Sequence, residues 1–189
     1  MRVVIINLPR RTDRLARTIS ECERYELPYE IFPAQEGGAD GLRRTMIALF
    51  NRVQEPMLVL EDDVKFLHDP RPYFDITLRY DILMLGGNVY RPLKPCNSML
   101  AKLTGAVANH AVIYSEHIIP ELITAYEKRR PIDVSLDQTV ISRGNSFISI
   151  PLVATQFADH SDIEHKNVNY VGLLEDRYWN EVNKIRIPV

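Results

Sequence analysis

Met57-Leu58-Val59-Leu60-Glu61-Asp62-Asp63-Val64 decides the fold. Four apolar residues run into three consecutive carboxylates. An apolar run with no polar alternation predicts a strand covered on both faces. The three acids cannot share that burial without a cost of several kcal/mol. They are therefore expected at the strand's end, where the cleft of an open α/β sheet lies. Adjacent carboxylates repel, and a hard divalent cation with oxygen ligands, Mn²⁺ or Mg²⁺, offsets the repulsion. The stretch thus reads either as a metal and diphosphate site or as an acidic turn that caps a strand.

Upstream, Arg2 to Asn7 predicts a buried first strand, broken at Leu8-Pro9. Arg10-Arg11-Thr12-Asp13-Arg14 then opens a helix to about Tyr25, with Thr12 or Asp13 as cap and Leu15, Ile19 and Cys22 on one face. Arginines beside the first strand's end suit phosphate contact or a solvated helix start. Pro28 to Ala34 predicts a second strand. Gln35 to Gly41 is read as a flexible glycine-rich connection, lacking both the dinucleotide and the phosphate-loop pattern. A helix over Leu42 to Val53 leads into the acidic strand.

Downstream, a short helix is expected around Tyr73–Leu78. Strands follow at Asp81–Leu85, Leu100–Leu103, Ala111–Tyr114 and Phe147–Ile150. Ser115 is the expected cap of a helix ending at Lys128-Arg129-Arg130, and Asp133 or Ser135 of another through Ser142. Gln156 to His165 gathers His160, His165 and several acids into a second polar cluster, or a solvated loop. The tail over 173–189 mixes helical and strand-like patterns. Strands alternating with helices indicate an α/β fold with a mixed sheet.

Composition narrows the classes. A chain of 189 residues with 46% hydrophobic and 25% charged residues fits one globular domain over 1–189. The net charge of −2 gives no electrostatic case for nucleic-acid binding. Cys22 and Cys96 have no metal spacing, leaving free thiols or one disulfide. Val3–Ile6 is too short for a secretion-signal core, and no apolar stretch has transmembrane length. The cytoplasm is the expected location, including the periphery of a membrane if the acceptor is embedded there.

The order of these pieces resembles glycosyltransferase family 25, the lipooligosaccharide and procollagen galactosyltransferase-like enzymes. The resemblance is carried by Val4-Ile5-Ile6-Asn7-Leu8-Pro9-Arg10-Arg11-Thr12-Asp13-Arg14 and by Leu58 to Val64. It continues through Asp81–Leu85, Gly105, His110–Tyr114, Pro131–Asp137, and Gln156 with Ser161-Asp162-Ile163. It spans about residues 3–165. In one place the chain departs: Gly41-Leu42-Arg43-Arg44-Thr45 stands where the family carries Ser-His.

The resemblance implies a GT-A-like fold and inverting transfer of a hexose, galactose or glucose, from a UDP-sugar to a glycan, lipid-linked or hydroxylated protein acceptor. It implies Mn²⁺ or Mg²⁺ on Asp63, with Glu61, His160 and His165 as further ligands. Asn7, Leu8, Arg11, Arg14, Glu61 and Asp62 would contact the nucleotide. Asp62 is expected on the opposite face if extended geometry persists. Asp137 is the preferred base for the acceptor hydroxyl. Asp133 is next, because it can also serve as a helix N-cap; at four residues apart the two share a helix face. Residues 156–189 are expected to close the site. Two alternatives stay open: a pseudo-glycosyltransferase that binds nucleotide-sugar or a partner without turnover, and a metal-dependent phosphohydrolase or nucleotidyltransferase. Asn7 at the end of the first strand speaks against an aspartyl-nucleophile phosphohydrolase.

Overall fold

The computed structural model describes residues 1–161, 166–169 and 171–184. In chain order the elements are β1 (Arg2–Asn7), α1 (Thr12–Arg24), β2 (Tyr29–Pro33), α2 (Gly38–Arg52), β3 (Met57–Glu61), β4 (Val64–Phe66) and β5 (Ile82–Val89). There follow β6 (Lys94–Pro95), β7 (Leu100–Lys102), β8 (Ala106–Tyr114), α3 (Ile119–Glu127), α4 (Ile132–Thr139) and β9 (Ser146–Ser149). The last are β10 (Ala154–Gln156), β11 (Asp159–Ser161), β12 (Lys166–Val168) and α5 (Val171–Val182).

Eight strands form one mixed sheet in the order β2-β1-β3-β8-β5-β9-β7-β6. β1 runs parallel to β2 and β3, while β8 runs antiparallel to both β3 and β5. The central strands are apolar on both faces, and their alternate residues sort into two cores. Val4, Val59, Met84 and Val112 pack with Phe50, Tyr126, Leu136 and Tyr178 from α2, α3, α4 and α5. Ile5, Leu60, Leu83 and Ile113 pack on the other face with Cys22, Phe66 and Val153. This is the GT-A-like arrangement, a mixed central sheet flanked by helices. Antiparallel β8 sets the first turn of one strand beside the last turn of its neighbour. The acids after β3 therefore lie next to the start of β8.

Several boundaries differ from the sequence reading. α2 begins at Gly38, so the glycine-rich stretch is its first turn rather than a flexible connection. Asp40 binds Arg43 and Arg44 one turn on, and a Cβ at Gly41 would sit 2.1 Å from the Glu36 carbonyl oxygen. Neither Thr12 nor Asp13 caps α1. Arg14, Thr18 and Cys22 form its buried face, with Leu15 and Ile19 half-buried, because Arg14 is drawn in toward the acids. Ser115 donates to the Asp81 carbonyl instead of capping, and Pro131 takes the cap position of α4. The helix expected around Tyr73 is a 3₁₀ turn, Arg71–Tyr73, its tyrosine hydroxyl donating to the Ile150 carbonyl. Cys22 and Cys96 are free thiols.

β5 continues through Gly86 and Gly87, where the sequence had it end. Its register against β8 shifts on either side of Gly86. Gly86 is needed there: an added Cβ would lie 2.1 Å from the Ala154 carbonyl oxygen and 2.4 Å from His110 Nε2. Gly86→Ala is therefore expected to overpack the centre of the sheet. The loss should be about 1–3 kcal/mol, seen as a melting temperature lower by about 3–10 °C in a thermal scan. An unchanged melting temperature would show that β8 and β10 can move apart.

Candidate active site

β3 places Glu61 beside Ile6 of parallel β1, at the carboxyl end of both strands. Asp62 and Asp63 then form the turn into β4. That turn ends the alternation, so Asp62 does not point away from Asp63. A single Arg14 nitrogen, Nη2, reaches both: it lies 3.1 Å from Asp62 Oδ1 and ion-pairs with Asp63 Oδ2. Asp62 is only 7% exposed. Burial pushes its carboxyl up to about 6; Arg14 and the Leu8 backbone N–H offset part of that push. Burial also holds Glu61 well above the usual carboxylate range, reinforced by Asp63, Asp133 and Asp62.

Asp63 Oδ2 also accepts from Gln156 Nε2 at 3.2 Å, and the Asp63 carbonyl from the Phe157 N–H at 2.7 Å. Asp63 Oδ1 is buried with no hydrogen-bond partner. Asn7, at the end of β1, likewise has a buried Oδ1 without a partner.

The second carboxylate pair comes from α4. Asp133 Oδ2 accepts the Ala108 N–H at 3.1 Å and its Oδ1 accepts Asn109 Nδ2 at 3.0 Å. Asp137 Oδ1 accepts the Ala106 N–H at 3.2 Å and its Oδ2 the Tyr90 hydroxyl at 2.6 Å. Asp133 is thus not a helix cap; it is clasped to the start of β8, where Ala108 adopts φ +63°. Burial raises its affinity for a proton. β3 and antiparallel β8 are neighbours, so the Glu61 end of β3 lies beside the start of β8 that Asp133 binds; the two carboxylate groups therefore share one end of the sheet, which their spacing in sequence could not establish. Gln138 turns away and accepts from Arg130.

His110 escaped the sequence reading as a site residue. It is fully buried on β8, and burial holds it below its ordinary value, as a neutral imidazole. Neither ring nitrogen makes a well-formed hydrogen bond. Even so, the Asp63 carboxylate and the carbonyls of Ala154 and Ala108 are close enough to favour its charged form. The only signal was Gly86, which makes room for the ring.

The C-terminal segment closes over α1. β10 pairs with β4, setting Gln156 opposite Val64. Asp159 Oδ2 lies 3.3 Å from Arg11 Nη2 and ion-pairs with Arg17, whose guanidinium lies 5.2 Å from the Phe157 ring centroid. Arg11 also binds Asp13 at 3.1 Å. Both arginines assigned to the nucleotide therefore face carboxylates of this chain. His160 falls in β11, a residue whose side chain is not described, and His165 lies outside the described residues. At the departure from the Ser-His pattern, Arg43 donates to the Tyr126 carbonyl at 3.2 Å and Thr45 to the Gly41 carbonyl at 2.8 Å. Those residues tie α2 to its surroundings.

No group of three or more His, Cys, Asp or Glu converges as a metal cage among the described residues. The donor chemistry still suits a hard cation: Asp63 offers a buried oxygen without a partner, and Mg²⁺ commonly keeps several waters and takes one or two carboxylates. No helix among the described residues is long and apolar enough to cross a membrane.

No protein-family model matches the chain, and no curated protein matches it. Solved structures do. A197 from STIV aligns with 13% identity over 89% of this chain and 93% of its own, with a TM-score of 0.52. A CTP:phosphocholine cytidylyltransferase from Streptococcus pneumoniae aligns with 7% identity over 93% and 97%, at 0.46. A mannose-1-phosphate geranyltransferase from Thermus thermophilus aligns with 13% identity over 77% and 58%, at 0.41. The first likeness supports the fold alone; the other two are too distant to carry weight.

The acid turn has a pH signature. Asp62 titrates near 3.8 when unfolded and at about 6 when folded, so the folded state holds the extra proton between those values. Its contribution is favourable at pH 4 and is lost as pH rises to about 6, by a few kcal/mol at about 1.4 per unit. Buried His110 works the other way, since the unfolded imidazole gains a proton below about 6.5. The comparison is therefore wild type against Asp62→Asn, by urea unfolding at pH 4, 5, 6 and 7. The variant should gain relative stability as pH rises to 6 and then level off. A difference that does not vary with pH would place Asp62 in a wetter setting.

Proposed function

We propose that the chain is a glycosyltransferase that moves a hexose from a UDP-sugar, UDP-galactose or UDP-glucose, to a hydroxyl acceptor on a glycan, lipooligosaccharide or hydroxylated protein, with inversion. The observation that carries this reading is that Glu61 ends β3 while Asp133 accepts from Ala108 at the start of β8, the neighbouring antiparallel strand. Transfer needs one group of oxygens for the diphosphate side and a separate carboxylate for the acceptor. The order of motifs shared with glycosyltransferase family 25 supports the same reading.

The leaving diphosphate gains negative charge as the glycosidic bond breaks. Mn²⁺ or Mg²⁺ held by Asp63, with Glu61 or Asp62 beside it, would supply Lewis-acid stabilisation there. Asn7 Oδ1 and the Leu8 backbone stand at the end of β1 for the nucleoside, with Arg11 near its phosphates. On the acceptor side a carboxylate removes the hydroxyl proton as oxygen attacks the anomeric carbon. Of the two candidates, Asp133 is favoured. Both carboxylates accept a hydrogen bond on each oxygen, Asp133 from Ala108 and Asn109 and Asp137 from Ala106 and Tyr90, but burial raises the proton affinity of Asp133, as a base requires. Asp137 then orients Tyr90 through its hydroxyl. The segment from Gln156 to Asp159 is proposed to close the site, in keeping with the Asp159 pairings to α1.

The test is release of UDP from a panel of UDP-hexoses, with Mn²⁺ or with chelator, in wild type, Asp133→Asn, Asp137→Asn and Asp63→Ala. Asp133→Asn should lower kcat by about 10²–10⁴-fold with little change in donor KM, the range expected for loss of a general base. Asp137→Asn should cost less. Asp63→Ala should abolish metal-stimulated release. Binding of UDP without sugar transfer to any acceptor would identify a non-catalytic relative. Failure to bind UDP at all, by calorimetry with Mn²⁺ present, would end the glycosyltransferase reading.

A further inference from the structure

We infer that Arg14 is an internal competitor for a divalent cation at the acid turn: its guanidinium occupies the position between Asp62 and Asp63 that the cation would take. Arg14 lies on the buried face of α1 with a side chain only 8% exposed. One of its nitrogens serves both carboxylates, at 3.1 Å from Asp62 Oδ1 and in an ion pair with Asp63 Oδ2. A guanidinium cannot shed its charge by losing a proton in the accessible pH range. A cation approaching the same oxygens meets a fixed positive charge inside a poorly screened site.

Asp63 is divided between the two possibilities. Oδ2 lies under Arg14 and Gln156, while Oδ1 is buried without a partner. A cation can approach Oδ1 but can draw on Asp62 and Asp63 together only if Arg14 gives way. A purely structural ion pair would instead leave cation affinity untouched when Arg14 is changed. The inference concerns the charge balance of the turn and holds whether or not the chain transfers a sugar.

The test is Mn²⁺ binding to the nucleotide-free protein, by calorimetry and by water-proton relaxation, in wild type, Arg14→Met and Arg14→Lys. Arg14→Met should bind Mn²⁺ at least about tenfold more tightly than wild type, because a buried opposing charge has gone. Adding Asp63→Ala to Arg14→Met should remove that gain. Arg14→Lys keeps a cation in place but not the fork, so it should bind about threefold more tightly. That variant keeps the test decisive if Arg14→Met does not fold. Affinities equal within about twofold, including no binding by any of the proteins, would overturn the inference.

Discussion

Five carboxylates gathered at one end of a sheet must be balanced, and the way this chain does so governs the rest of the structure. Desolvation raises the proton affinity of half-buried Glu61 and Asp133. Asp62 and Asp63 share Arg14. Burying two carboxylates with one guanidinium is costly in desolvation, and such a pair stabilises a fold only where further hydrogen bonds complete it. Here the Leu8 N–H and Gln156 provide them, while the Phe157 N–H binds the Asp63 carbonyl and pins the turn itself. Arg14 comes from α1, Leu8 follows β1 and Gln156 lies in β10, so the acid turn joins these three elements in one place.

That requirement explains local choices that otherwise look arbitrary. α1 buries Arg14 where a leucine would be expected, and its apolar Leu15 and Ile19 are only half-buried as a result. β5 carries glycine in mid-strand, normally a weak choice, because His110 and the Ala154 carbonyl approach it closely. β8 turns through a positive φ at Ala108, and the Ala106 and Ala108 N–H groups reach the carboxylates of α4. In each case regular secondary structure yields to the needs of polar groups at the same end of the sheet.

The parts legible in the sequence are those with a single physical cause. The strands β1 and β3 show as apolar runs because burial on both faces removes any alternation. The shared helix face of Asp133 and Asp137 follows from spacing alone. What was hidden depended on residues distant in the chain. Nothing near Asp137 announces Tyr90, 47 residues away, as its partner. Nothing near Glu61 announces that α4 returns to it. The glycines at 37, 38 and 41 pointed to a loop because glycine's usual meaning is conformational freedom. At Gly41 the meaning is close approach to the Glu36 carbonyl. His110 sits in an apolar strand with no pattern to mark it. The expected alternation at Asp62 failed because the strand ends one residue earlier, at Glu61.

The two halves of the site differ in kind. On the α4 side each carboxylate is held by one side chain and one backbone N–H, and the backbone groups of Ala106 and Ala108 cannot move without unravelling the start of β8. Such groups fix a geometry in advance, as a proton-accepting carboxylate requires. On the β3 side the counterion is a side chain on a long flexible stem, and a side chain can be exchanged for another cation where a backbone group cannot. A nucleoside diphosphate would bring its own negative charge to that side and change the balance Arg14 maintains. Rigidity where a proton must be taken and exchangeability where charge must be received are the two properties that transfer from an anionic leaving group demands of one cleft.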